Sequence, residues 1–182
     1  MKMDDKNRHR MKKEIFEWII FFMAAVAAVF LLDTQVIVNA YIPSGSMKNT
    51  IEPGDHIMGS RLAYRSSDPQ RFDIIIFRFS DNREDLYIKR IIGLPNETVR
   101  IVNGEIYIND SEKPLNDPFS TELGAGSCGT YVIPDDSYFV MGDNRNDSFD
   151  SRFWKNPFVP KEDILGKAVA RYWPIRRAGI VK

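Results

Sequence analysis

The chain has 182 residues, 43% of them hydrophobic, 27% charged and 12% aromatic, which excludes a disordered chain and suits one folded domain with an appendage. Its net charge of zero conceals a split, because residues 1–13 carry a balance of +4 and the remainder a balance of −4. A mildly acidic body does not fit nucleic-acid binding, and a single cysteine, Cys128, excludes an internal disulfide and a CxxC metal site.

Residues 1–13 form a polar, basic arm. From Ile15 to Leu32 the chain is apolar except for Glu17, and Asp33 ends the run. Eighteen residues of helix rise about 27 Å, close to the roughly 30 Å of a bilayer's hydrocarbon. This predicts a transmembrane anchor over residues 14–33, with Trp18 at the interface. The basic residues ahead of the run place the N-terminus in the cytoplasm and residues 34–182 outside. A buried helix of a soluble protein stays open as a second reading. A cleaved signal peptide is a third, since Val38-Asn39-Ala40 has the small-x-small pattern of a cleavage site. Cleavage there would leave Ser44 and Ser46 almost at a free terminus, which favours an anchor that is kept.

Beyond the anchor the pattern changes to short strands with turns at close spacing, the signature of an antiparallel, mainly β body. Gln35–Ile42 is rich in β-branched residues and leads into Ile42-Pro43-Ser44-Gly45-Ser46-Met47. Pro43 and Gly45 keep that segment out of a helix, so two hydroxyls and a free N–H can face one reacting atom. Ile51–Asp55 reads as a turn and His56–Tyr64 as a strand. Phe72–Phe79 reads as a buried strand, Asp81–Asp85 as a polar turn, and Leu86–Ile92 as the returning strand. Val99–Val102 and Glu105–Ile108 flank Asn103-Gly104, the preferred dipeptide of a tight hairpin. Ser111–Thr130 is loop-rich, Tyr131–Ile133 and Tyr138–Met141 are short strands, Gly142–Trp154 is a polar loop, and Lys167–Trp173 is the last strand.

Few residues can act as a general base. His9 lies in the basic arm, and His56 is a lone histidine in a strand, so a Ser-His-Asp triad has little support. No cluster has metal-ligand spacing, and Ser-x-x-Lys is absent because Met47 and Asn49 stand three residues after Ser44 and Ser46. Lys89 is the remaining candidate. Strand alternation puts it on the face of Tyr87 and Ile91, where lost hydration lowers the pKa of an ammonium. The competing reading is a lysine that reaches from a sheet edge to water. A second constellation, Gly142-Asp-Asn-Arg-Asn-Asp-Ser-Phe-Asp-Ser-Arg152, is either a solvated loop or a polar network that positions the base.

Five blocks in order then give a resemblance. They are Ile42-Pro-Ser-Gly-Ser-Met47, Gly54-Asp-His-Ile57, Arg71-Phe-Asp-Ile-Ile75, Tyr87-Ile-Lys-Arg90 with Gly93-Leu-Pro95, and Gly142-Asp-Asn-Arg145 with Ser148, Asp150-Ser-Arg152 and Trp154. Together they resemble the type I signal peptidases, membrane-anchored serine proteases with a Ser–Lys dyad, and the likeness spans the anchor and essentially the whole body. The resemblance implies a single transmembrane helix followed by an antiparallel, barrel-like β core, with a small β region inserted at about residues 97–133. It makes Ser46 the nucleophile, Lys89 its base and Ser44 an oxyanion donor. Ser148 would orient Lys89, Asp150 would pair with Arg152 and Asp143 with Arg90, and Ile42 and Ile88 would line shallow substrate pockets. It implies no cofactor and no metal. The partners implied are secreted preproteins cut after small-x-small motifs, the lipid bilayer, and the secretion translocon, at the outer face of the plasma membrane. Departures from the family pattern are Lys48-Asn49 after Met47, Phe149, and Lys155 after Trp154. Two rivals stay open: a self-cleaving Ser–Lys protease, and an inactive anchored β domain that binds secreted proteins.

Overall fold

The computed structural model describes residues 5–79, 82–120, 122–124 and 129–182. Cys128 and Asp81 lie outside the described residues. The chain divides after Val36 into a helical unit and a β unit.

The helix, α1 (Asp5–Gln35), begins well inside the basic arm. Two i,i+4 pairs, Arg10–Glu14 and Lys13–Glu17, run along its first turns and favour continuing the helix through that polar stretch. From Arg8 to Leu32 it is long and apolar enough to cross a membrane. Its apolar side chains from Ile15 to Leu32 are exposed all round, with no face reserved for a protein core.

The β unit contains β1 (Ile37–Tyr41), β2 (His56–Ser60), β3 (Ile74–Phe79), β4 (Asn82–Gly93), β5 (Thr98–Val102), β6 (Glu105–Ile108), β7 (Gly129–Val132), β8 (Ser137–Met141), β9 (Val159–Pro160), β10 (Ile164–Trp173) and β11 (Gly179–Ile180). Eight of these form one antiparallel sheet in the order β1-β2-β10-β3-β4-β8-β9, with β11 paired to β10. Register shifts interrupt the β10–β2, β10–β3, β3–β4 and β4–β8 ladders, and such bulges let the sheet coil.

The centre of this sheet is buried on both faces, and strand periodicity explains how. In β3, Ile74 and Ile76 enter a cluster with Val38, Ile42, Met47, Ile57 and Ile88. The intervening Ile75, Phe77 and Phe79 enter another with Ile91, Tyr138, Val140 and Trp154. A third cluster joins Ile92, Phe139 and Met141 of the large sheet to Val99, Ile101 and Ile106 of a three-stranded sheet, β6-β5-β7. The hairpin between β5 and β6 turns on Asn103 (φ 51°) and Gly104 (φ 82°), the positive pair that a type I′ turn requires.

Some expected boundaries differ, and the last strand begins at Ile164, ahead of the expected Lys167. β2 ends at Ser60, and Leu62–Tyr64 is a 3-10 turn instead of strand. Asn82–Asp85, expected as turn, already belongs to β4, because Asn82 pairs with Phe79 across a bulge and the ladder tolerates polar side chains on its exposed edge. Strands β9 and β11 have two residues each and no alternation to read.

The serine segment leaves β1 under tight restraint. Ile42 N–H donates to Asp55 O (3.0 Å), and Gly54 N–H donates back to Ile42 O (2.8 Å). The fully buried Asp55 carboxylate accepts from Arg177 Nη2 (2.7 Å), Glu52 N–H (2.9 Å) and Arg171 Nη1 (3.1 Å), tying the Ile51–Asp55 turn to β10. Removing one partner of a buried ion pair leaves uncompensated charge, so Asp55→Ala should cost about 3 kcal/mol, read from urea unfolding of the detergent-solubilised chain. An unchanged midpoint would show that this carboxylate does not hold the turn.

Candidate active site

Ser46 sits in the irregular segment after β1, and its neighbours fix it. Met47 and, four residues on, Ile51 are both fully buried in the first cluster, with Ile51 N–H donating to Met47 O (2.8 Å). Lys89 stands in β4 opposite Ile75 of β3. Its Nζ lies 2.6 Å from Ser46 Oγ, and both side chains are buried. The two residues are 43 apart in sequence, so only the sheet brings them together.

Lys89 is 4% exposed. Burial lowers its pKa from 10.5 to about 8, against the pull of Asp150 and Asp143 and with help from Arg152. Those carboxylates pull weakly because each is already held by a guanidinium. Arg90 grips Asp143 through Nε (2.8 Å) and Nη2 (2.7 Å), with both side chains at 0% exposure. Arg152 grips Asp150 through Nε and Nη2, each at 2.8 Å. The lysine that could have reached water from a sheet edge is instead enclosed, with the Tyr87 ring 5.7 Å from its Nζ.

The loop from Gly142 to Trp154 has no regular structure, yet Asp143, Arg145, Ser148, Asp150, Ser151, Arg152 and Trp154 are buried. The reading as a solvated loop is therefore set aside. Its polar groups satisfy one another: Asp150 Oδ2 also accepts Gly142 N–H (3.0 Å), and Arg152 Nη2 also donates to Arg145 O (2.8 Å). Arg145 in turn pairs with Asp117, which belongs to the segment between β6 and β7.

Ser44 is exposed and lines the same groove as Ser46 and Lys89, with Ile42 and Ile88 in its wall. The Ser46 N–H takes no partner among the described residues and remains free to donate. Ser148 is a correction. Its Oγ is buried without a hydrogen-bond partner, so the bond to Lys89 that the resemblance implies is not made in this arrangement. His56 lies between the rings of Tyr41 (5.2 Å) and Tyr172 (5.7 Å) and does not line the groove. His9 lies on α1. Among the described residues no group of three or more His, Cys, Asp or Glu is placed to hold a metal.

Three contributors had no role in the sequence reading. Thr50 Oγ1 donates to Asp143 Oδ2 (2.5 Å). Asn144 binds the serine segment twice, from its N–H to Ser46 O (3.1 Å) and from Nδ2 to Gly45 O (3.1 Å). At Gly142 a Cβ would stand 2.3 Å from both Ser46 O and Ser148 Oγ, so only glycine lets the two segments touch. The glycine at the head of an acidic run was the one available signal for this close approach.

A family model described as signal peptidase, peptidase S26, matches residues 15–173. A probable signal peptidase I-2 of Synechocystis is 40% identical over 172 residues, covering 90% of this chain and 77% of the relative. A signal peptidase IB of Staphylococcus aureus is 31% identical over 180 residues, covering 90% of this chain and 92% of the relative. A crystallised signal peptidase I of Enterococcus faecalis is 33% identical, with a TM-score of 0.47 over 56% of this chain and 97% of that one.

The lowered pKa of Lys89 has two measurable signs. If neutral Lys89 is the base, kcat/KM rises with pH through about 8 and levels above it. The unfolded chain binds more protons than the native one between about 8 and 10.5, so stability also rises over that window. Subtracting the stability–pH curve of Lys89→Met isolates this from the tyrosines, whose raised pKa values act in the opposite sense at the upper end. A flat difference curve would mean that Lys89 titrates as an ordinary lysine.

Proposed function

The chain belongs to the signal peptidase family, peptidase S26, and we propose that it removes signal peptides from secreted preproteins through a Ser46–Lys89 dyad. The observation that carries the chemistry is the 2.6 Å approach of Lys89 Nζ to Ser46 Oγ, inside a site that lowers the lysine's pKa to about 8. With that pKa about one tenth of Lys89 is neutral at pH 7, enough to supply a base.

Neutral Lys89 takes the Ser46 proton as Oγ attacks the carbonyl of the bond to be cut. Ser44 Oγ and the Ser46 N–H donate to the oxyanion that forms. The Lys89 ammonium returns the proton to the departing amine of the mature protein. The signal peptide, left as an ester on Ser46, is released by a water that Lys89 deprotonates. Asp143–Arg90 and Asp150–Arg152 hold the loop that covers the lysine.

Two free strand edges support the mode of substrate binding. Among the described residues β1 is paired only to β2, and β8 reaches β4 only at Arg90, Ile91 and Gly93. Leu86–Lys89 is therefore unpaired on the groove side, as is Asn39–Tyr41 across from it. An extended peptide fits between them as an added strand. Ile42, Ile76 and Ile88 leave room for small side chains, which suits alanine at the first and third positions before the cut. Residues 1–13 are then a cytoplasmic arm and 14–33 the membrane anchor. Residues 34–182 are the extracytoplasmic catalytic domain, with an insert at about 97–133 and the translocon as neighbour.

With a synthetic preprotein, Ser46→Ala and Lys89→Met should each abolish cleavage while His56→Ala keeps most of it. Activity surviving Lys89→Met would refute the dyad. Ser44→Ala should lower kcat by about 10²–10³ with little change in KM, and an unchanged kcat would remove its hydroxyl from the oxyanion site.

A further inference from the structure

The groove holds one charged group that the chemistry above does not use. Among the described residues that line it, Asp147 is the only acid and Lys89 the only base. Asp143 and Asp150, the acids behind Lys89, are each occupied by an arginine, whereas the Asp147 carboxylate is exposed and takes no hydrogen bond or ion pair among the described residues. Its place is fixed. Asp147 N–H closes a turn onto Asn144 O (3.2 Å), and Asn144 is bound at 3.1 Å to both Ser46 O and Gly45 O. Asp147 Oδ2 stands 3.9 Å from where a Cβ on Gly45 would be, beside the backbone between Ser44 and Ser46.

We infer that Asp147 is a specificity residue, which makes the groove favour a basic over an acidic side chain on a substrate residue flanking the bond that is cut. This rests on the protease reading above. The backbone of Asp147 is tied through Asn144 to the nucleophile's own segment, so any peptide whose carbonyl reaches Ser46 Oγ carries its flanking side chains past this charge. A lysine or arginine there is attracted and a glutamate or aspartate repelled. The apolar walls, Ile42, Ile88 and Phe149, weaken the competition from water, although the exposure of Asp147 keeps the effect modest.

The test uses the full chain in neutral detergent at low salt. The substrates are peptides that keep alanine at the first and third positions before the cut and differ only in Lys, Gln or Glu at the second position before it or at the first or second position after it. For the wild type the Lys-to-Glu ratio of kcat/KM should be about 2–5 at one or more of these positions. It should fall as salt is added. Asp147→Asn should bring the ratio to about one and Asp147→Lys should invert it. A purely structural turn would change every peptide by one factor and leave the ratio at its wild-type value, which overturns the inference. Cleavage of the Gln peptide with indifferent ratios sinks this inference alone. Failure of the folded wild type to cut any of them sinks the protease reading, and this inference with it.

Discussion

One amine held out of water governs the rest of the site. Lys89 Nζ meets Ser46 Oγ at 2.6 Å, and burial brings its pKa from 10.5 to about 8. That displacement corresponds to roughly 3 kcal/mol of penalty on the charged form. A β-sheet that met the lysine on one face only would let the flexible side chain swing to water. Here β3 lies against one edge of β4, the Ile75–Trp154 cluster covers the face, and the Gly142–Trp154 loop closes the remaining side. The burial of β3 on both faces is thus part of the chemistry as well as the fold.

The two arginine–carboxylate pairs are best understood against that penalty. Burying four charged side chains stabilises little by itself. What the pairs provide is a rigid polar loop whose acids do not undo the desolvation of the lysine. An unpaired Asp143 or Asp150 would favour the ammonium and raise its pKa again, because both already push in that direction. Bidentate contacts at 2.7–2.8 Å take up their oxygens. The same loop touches the serine segment through Asn144 and through the bare Cα of Gly142, so base and nucleophile share one support.

Much of this was legible in the sequence, for identifiable reasons. The long apolar helix and the buried β3 announce themselves by composition, and Asn103-Gly104 by turn chemistry. Alternation placed Lys89 with Tyr87 and Ile91, and the ring contact and shared cluster agree. Alternation could not say whether that face was covered, because the covering loop meets the strand through Asp143, 53 residues beyond its partner Arg90. Five motif blocks in order tipped that balance where no single block could. Polar residues in the Gly142–Trp154 loop read equally well as solvated or buried, since a satisfied network and a wet loop use the same side chains. Ser148 is the reverse case: its motif position was legible, while its rotamer was not.

The gap between the free edges of β1 and β4 joins binding to catalysis. An enzyme with a histidine base can leave its site open to water, because imidazole is half neutral near pH 7. A lysine base cannot, and Ser46 and Lys89 keep 8% and 4% of their surface exposed towards the groove. A peptide added as a strand between Leu86–Lys89 and Asn39–Tyr41 would satisfy both edges and displace the water facing them. Further desolvation favours the neutral amine. Occupancy of the groove then strengthens the base at the moment a carbonyl arrives, and hydrolysis of other exposed chains is discouraged without a lid. If the dyad operates as proposed, a Ser–Lys pair and an incomplete sheet belong together, with the substrate supplying the missing strand.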